Sequence, residues 1–63
     1  METNTALGGL TFRLTSNDNF YFGSRRVAVA NTELIEKIRS AIDADNVFWL
    51  RDLFVEAGGS IKA

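Results

Sequence analysis

The chain predicts an α+β fold: a three-stranded antiparallel β-meander (about residues 10–15, 19–22 and 25–30) followed by two α-helices (about 32–44 and 46–57) packed on one face. Three observations carry that expectation. Residues 10–15 alternate apolar and polar. The strand registers set by the next two loops agree on a single apolar face. From residue 32 the apolar spacing changes from two to helical, with capping residues at both starts.

Met1 to Gly9 is polar or small and ends in Gly8-Gly9, so it is expected to be a flexible leader with Leu7 tucked down. In Leu10 to Thr15, Leu10, Phe12 and Leu14 point one way and Thr11, Arg13 and Thr15 the other, the pattern of a half-buried strand. Ser16-Asn17-Asp18 is turn chemistry, because Asn and Asp bond their own backbone and tolerate left-handed angles. Asn19 to Phe22 forms a second strand. Gly23-Ser24 fits a type II′ turn, which wants Gly first, and the third strand completes the sheet.

The two loops fix the pairing. A two-residue turn at Gly23-Ser24 sets Phe22 opposite Arg25, Tyr21 opposite Arg26 and Phe20 opposite Val27. A three-residue loop at 16–18 sets Leu14 opposite Phe20, Arg13 opposite Tyr21 and Phe12 opposite Phe22. Opposed residues share a face, so Leu10, Phe12, Leu14, Phe20, Phe22, Val27 and Val29 gather on the inner side with Arg25 at its rim. A slip of one residue would turn a strand's apolar set to water. A single strand over 20–30 with a bulge at Gly23 also keeps Phe20 and Val27 on one side.

Asn31 or Thr32 caps the first helix, and Glu33 and Glu36 suit the positive end of its dipole. Leu34, Ile35, Ile38, Ala41 and Ile42 make its buried stripe. Glu33 with Lys37, and Arg39 with Asp43, are spaced four apart, each pair worth about 0.2–0.5 kcal/mol. Asp45 or Asn46 caps the second helix and Gly58 ends it. Residues 59–63 form a tail in which Ile61 is the sizeable apolar group. The domain proper is expected to span 10–58.

The second helix is unusual. Val47, Leu50, Leu53, Phe54 and Ala57 form one broad stripe, with Trp49 on its flank. Phe48 and Val55 lie on a different side, between Arg51 and Asp52. A surface helix needs one apolar stripe, and one that is apolar nearly all round is usually buried. The sheet and first helix cannot use Phe48 and Val55, so these two are surplus.

Composition narrows the function. The chain has 63 residues, no Cys and no His, with a net charge of −1. One domain of this size supplies little stability, roughly 3–5 kcal/mol, without a staple. Disulfides are excluded and a zinc site lacks its usual ligands, which leaves good packing or self-association. Residues 1–30 carry three arginines against two acids; residues 31–63 carry four basic groups against six acids. Any anion site therefore belongs to the first half. The start lacks the basic and apolar regions of a signal peptide, and the longest apolar run falls far short of the roughly 20 residues of a membrane span. A soluble cytoplasmic protein with no membrane partner is expected.

Without His or Cys the usual proton shuttle and strong nucleophile are missing, so neither catalytic residues nor cofactors are expected. Asp43-Ala44-Asp45-Asn46 lacks the Gly and distal Glu of a calcium loop, and no metal is expected. Two surfaces remain as candidates. Phe48, Trp49, Arg51, Asp52 and Val55 make a protein interface, for a second copy as a homodimer or for another protein. Arg13, Tyr21, Arg25 and Arg26 make an anion or partner site, in which an Arg-Tyr-Arg row across the sheet resembles surfaces that stack bases and hold phosphates. The same row also reads as a cross-strand ladder on a solvated face. The favoured expectation is a non-enzymatic module that occupies a partner's surface. By size and composition alone it is comparable to phage-encoded or mobile-element inhibitors and regulators of host machinery. A nucleic-acid-binding regulator using the Arg-Tyr-Arg row is the alternative, disfavoured by the net charge.

Overall fold

The computed structural model describes residues 1–61. It contains β1 (Phe12–Leu14), β2 (Asn19–Phe22), β3 (Arg25–Ala28), α1 (Thr32–Asp43) and α2 (Val47–Glu56). The three strands form one antiparallel sheet in the order β1-β2-β3. The registers are those set by the loops: Phe12 faces Phe22, Arg13 faces Tyr21 and Leu14 faces Phe20; Phe20 faces Val27, Tyr21 faces Arg26 and Phe22 faces Arg25. Residues 20–30 are thus a hairpin and not one bulged strand. Gly23 has φ +61° while Ser24 is not at positive φ, the pattern of a type II′ turn.

Both helices pack on the inner face of the sheet. Phe12, Leu14, Phe20, Phe22 and Val29 meet Ile35, Ile38, Ala41 and Ile42 of α1 and Val47, Leu50, Leu53 and Phe54 of α2 in one core. Four phenylalanines form its centre. Phe12 stacks on Phe22 at 4.5 Å between ring centroids, and Phe54 of α2 meets Phe20 edge-on at 5.2 Å and Phe22 at 6.0 Å. Val27 is half-buried at the edge of this core, as is Leu34.

Each helix starts on an asparagine. The Asn31 side chain accepts from the backbone N–H groups of Glu33 and Leu34 at 3.0 and 3.3 Å, and the Asn46 side chain accepts from Trp49 N–H at 3.2 Å. Each helix also ends in the same six-residue hydrogen-bond pattern. For α2, Gly58 N–H donates to Val55 and Gly59 N–H to Phe54, with Gly58 at φ +101°. For α1, Asp45 N–H donates to Ile42 and Asn46 N–H to Ala41. Asp45 therefore holds the left-handed position, φ +53°, that glycine usually takes.

Three expectations need correction, two of them in the N-terminal third. Residues 1–5 do not stand clear of the sheet as a leader. Thr3 N–H donates to Phe12 C=O at 3.0 Å and Leu14 N–H to Met1 C=O at 2.8 Å, so the segment runs along the outer edge of β1. Thr3 is buried. The carboxylate of Asp45 accepts from Asn4 N–H at 2.7 Å and from the Thr5 N–H and hydroxyl. Leu10, in turn, is not part of the core. Gly8 and Gly9, at φ +60° and +84°, make a tight turn closed by reciprocal Leu7–Leu10 backbone bonds, the I′ pattern. That turn takes Leu10 out of β1 and leaves it 41 % exposed, with its side chain against Gly23.

At the other end the expected tail folds back. Gly59 crosses the Phe54 ring so closely that a Cβ there would overlap Cε2 and Cδ2. Ser60 C=O accepts from Arg25 Nη1 at 2.5 Å, and Ile61 packs against the core. Residues 62 and 63 of that tail lie outside the described residues. Among the described residues no helix is long and apolar enough to cross a membrane.

These contacts can be tested at Gly59 and at Asp45. Gly59→Ala should destabilise the fold by about 1–3 kcal/mol in urea unfolding, the usual cost of overpacking. That increment should shrink in a Phe54→Leu background, where the ring atoms are gone; equal increments in both backgrounds would show that the crossing is not tight. For Asp45, the hydrogen bonds from Thr5 and Asn4 hold the carboxyl below its ordinary value of 3.8, against a smaller opposing effect of desolvation. A depressed carboxyl stabilises the folded state above its unfolded pKa and loses that effect as pH falls through the folded pKa. The stability gap between the wild type and Asp45→Gly should therefore narrow below about pH 4. Asp45→Gly relieves the left-handed backbone but releases the N-terminus. It should lose hydrogen-exchange protection at Asn4 and Thr5 while keeping that of α1; full protection at both would refute the clamp.

Candidate protein-binding surface

Helix α2 turns Val47, Leu50, Leu53 and Phe54 into the core. Its other side carries Phe48, Arg51, Asp52 and Val55, the i, i+3, i+4, i+7 set of one helix face, and all four are exposed. Phe48 is 68 % exposed, Val55 54 % and Trp49 39 %. All five residues expected at a protein interface are therefore on the surface. The core closes without them. The accessible surface of 3995 Å² matches the about 4,000 Å² of a folded monomer of this mass. The exposed apolar groups of α2 are thus a local feature of a closed fold.

The outer face of the sheet carries the expected row. Arg13 faces Tyr21 and Tyr21 faces Arg26 across the strands, and the Arg13 guanidinium carbon sits 4.5 Å from the centre of the Tyr21 ring. Sequence reasoning missed a fourth member. Glu2 pairs with Arg13 on the sealed edge of β1 and so extends the row with a carboxylate, near enough to Thr11 to accept from its hydroxyl at 3.3 Å. The row reads acid, base, aromatic, base, and its positive charge is half of what the two arginines alone give. The omission comes from treating residues 1–9 as a leader, since no local pattern in Met1 to Thr5 marks a strand.

Arg25 belongs elsewhere. It pairs with Phe22 at the rim of the inner face, so the structure separates it from Arg13, Tyr21 and Arg26. It lines instead a groove of about 370 Å³ together with Arg51 of α2 and Leu7, Leu10, Phe22 and Ile61. A second groove of about 510 Å³ shares Arg51 and Ile61 and adds Val55. One residue from each candidate set thus meets the other. Leu7, Leu10 and Ile61 are legible in the sequence only as apolar groups near the termini; their convergence depends on the Gly8-Gly9 turn and on the fold-back after α2.

Among the described residues no three His, Cys, Asp or Glu side chains gather at a spacing that could hold a metal. The carboxylates of α1 and α2 include Glu33 and Glu56, which line with Lys37 a separate groove at the end of β3. Asp43 and Asp45 do different work: Asp45 holds the N-terminal segment, and Asp43 ends α1. No protein-family model, curated protein or solved structure matches this chain.

The Arg13–Tyr21 stack predicts a measurable coupling. In a double-mutant cycle of Arg13→Ala and Tyr21→Ala, the two should be coupled by about 0.5–1 kcal/mol of stability. A coupling indistinguishable from zero would mean that the stack is not held in solution.

Proposed function

We propose that this chain is a non-enzymatic protein-binding module that works by laying the outer side of α2 on a partner, in the cytoplasm, as a small inhibitor or regulator does. The observation that carries this is the pair Phe48 and Val55. They are exposed on a helix whose Val47, Leu50, Leu53 and Phe54 already complete the core. Aromatic side chains flanked by charged neighbours are the usual anchors of protein interfaces, where a few residues hold most of the affinity. Phe48 has Arg51 and Asp52 one turn away, which supply polar contacts of both signs at the rim. A second copy of the chain is one partner that fits, since α2 against its own twin pairs apolar with apolar and Arg51 with Asp52. The absence of His and Cys from the sequence supports a role without chemistry.

A nucleic-acid-binding role is favoured by one feature, the Arg13–Tyr21 stack with Arg26 beside it. Glu2 in the same row and the net charge of −1 weigh against it.

Phe48→Asp tests the choice. Phe48 is exposed and not part of the core, so stability should stay within about 0.5 kcal/mol of wild type. Self-association in sedimentation equilibrium, or affinity for a captured protein partner, should fall by about 2 kcal/mol or more, roughly thirtyfold. Unchanged sedimentation mass and unchanged capture would overturn the α2 surface. Binding that instead collapses between about 50 and 200 mM salt, and that is lost in Arg13→Glu with Arg26→Glu, would establish the nucleic-acid role in its place.

A further inference from the structure

The two adjoining grooves beside α2 have a chemistry that neither candidate set has alone. Their floor is Leu7, Leu10, Phe22 and Ile61, continued by Val55. Their charged lining is Arg25 on one wall and Arg51 at the junction, with no acidic residue on either groove among the described residues. In a chain with more acids than bases, two guanidiniums over an apolar floor without a lining carboxylate are a local exception. Asp52, the neighbour of Arg51 on α2, lines neither groove.

The walls are built and not incidental. Leu7 and Leu10 are locked by two backbone hydrogen bonds of 2.8 and 3.1 Å across the Gly8-Gly9 turn. Leu10 is pressed against Gly23 so closely that a Cβ there would meet Leu10 Cδ2 at 2.9 Å. Arg25 donates one hydrogen bond to Ser60 C=O, which orients the guanidinium and leaves four of its five N–H donors unused among the described residues. Each groove falls in the size range of about 300–1,000 Å³ that takes a small ligand or a short stretch of peptide.

We infer that this groove binds a linear acidic–apolar segment of a protein partner: a carboxylate held between Arg25 and Arg51, with flanking aliphatic or aromatic side chains on Leu10, Ile61 and Val55. The inference rests on the protein-binding role proposed above and names the partner's chemistry. Guanidinium pairs with carboxylate through two parallel N–H donors. The apolar floor excludes water from one side of that pair and rewards apolar neighbours on the ligand. A phosphate would satisfy the arginines but leave the floor uncovered, and a basic segment would meet both charges with repulsion.

The probe is the peptide acetyl-Leu-Asp-Phe-Glu-Leu-amide, titrated into the isotopically labelled full chain and followed by NMR. Its counterparts carry Asn and Gln, or Lys, in place of the two acids. The acidic probe should shift the side-chain Nε–H of Arg25 and Arg51 and the backbone amides of Leu10 and Gly23. The amide counterpart should bind about tenfold more weakly, and the lysine counterpart should not bind. Arg51→Gln, an exposed change to another good helix former, should weaken the acidic probe about tenfold. No shifts at these positions up to millimolar probe, or equal binding of the acidic and lysine peptides, would overturn the inference. Phe48 lines neither groove, so Phe48→Asp should leave the probe's Kd unchanged. Loss of partner capture in Phe48→Asp with no probe binding in the wild type would overturn the groove and spare the α2 surface. Probe binding with undiminished capture by Phe48→Asp would do the reverse.

Discussion

The aromatic contact between Phe54 and the sheet is the interaction on which the other parts depend. One ring from α2 reaches Phe12, Phe20 and Phe22, at 6.4, 5.2 and 6.0 Å between centroids, and so touches β1 and β2 at once. Burying a phenylalanine completely is worth roughly 1.5–3 kcal/mol, and truncating one in a core costs about 3–5. The second figure is as large as the whole stability of an unstapled chain of this size. Phe54 also dictates the path of the chain beyond α2. Because its ring lies against the backbone at residue 59, only a residue without a side chain can pass there. The fold-back that brings Ser60 to Arg25 is therefore a consequence of the core.

The parts of the fold that obey local rules can be read from the residues. Strand registers depend on loop length, and both loops here are short enough to leave one pairing that keeps the apolar groups together. Asn31, Asn46 and Gly58 act within four residues of themselves, so their neighbours reveal their roles. The N-terminal segment and Leu10 cannot be read this way. Asn4 and Thr5 are held by Asp45, 41 and 40 residues on, through a carboxylate whose position depends on α1 being followed by a left-handed turn. By its neighbours alone Asp45 is a candidate helix cap. It sits instead in the left-handed turn after α1, and its side chain is diverted to the N-terminal segment. Leu10 fits the alternation of the strand perfectly well; the turn at Gly8-Gly9 overrides that pattern because its closing pair must leave the sheet.

The candidate site is legible in its members but not in its grouping. Phe48 and Val55 can be assigned to the surface because the sheet and α1 together offer one face for α2 to cover, and four of its side chains suffice for that. Arg13, Tyr21 and Arg26 can be placed side by side from register alone. What local spacing cannot reveal is that Glu2 joins that row, or that Arg25, which register places at the inner rim, shares a groove there with Arg51. Both depend on chain ends that carry no periodic signal of their own. The two regroupings act in the same direction. Glu2 offsets positive charge on the outer sheet face, while Arg25 and Arg51 gather it beside α2.

That redistribution bears on why α2 keeps its outer side apolar at all. A helix of ten residues with four in the core needs nothing more for stability, and Phe48 and Val55 gain almost nothing by being exposed. If they served only the fold, polar residues would serve as well. Val55 lines one groove with Arg51 and Ile61, and the adjoining groove shares those two with Arg25 and Leu10, so apolar area and positive charge meet beside α2. Sealing β1 with residues 1–3 removes one open strand edge from that side's competitors. With that edge occupied by the chain's own N-terminus, the proposed contact through side chains on the α2 side would not compete there with pairing through a bare strand. The Asp45 clamp, which holds the sealing strand in place from the far end of α1, thereby helps decide which surface is offered.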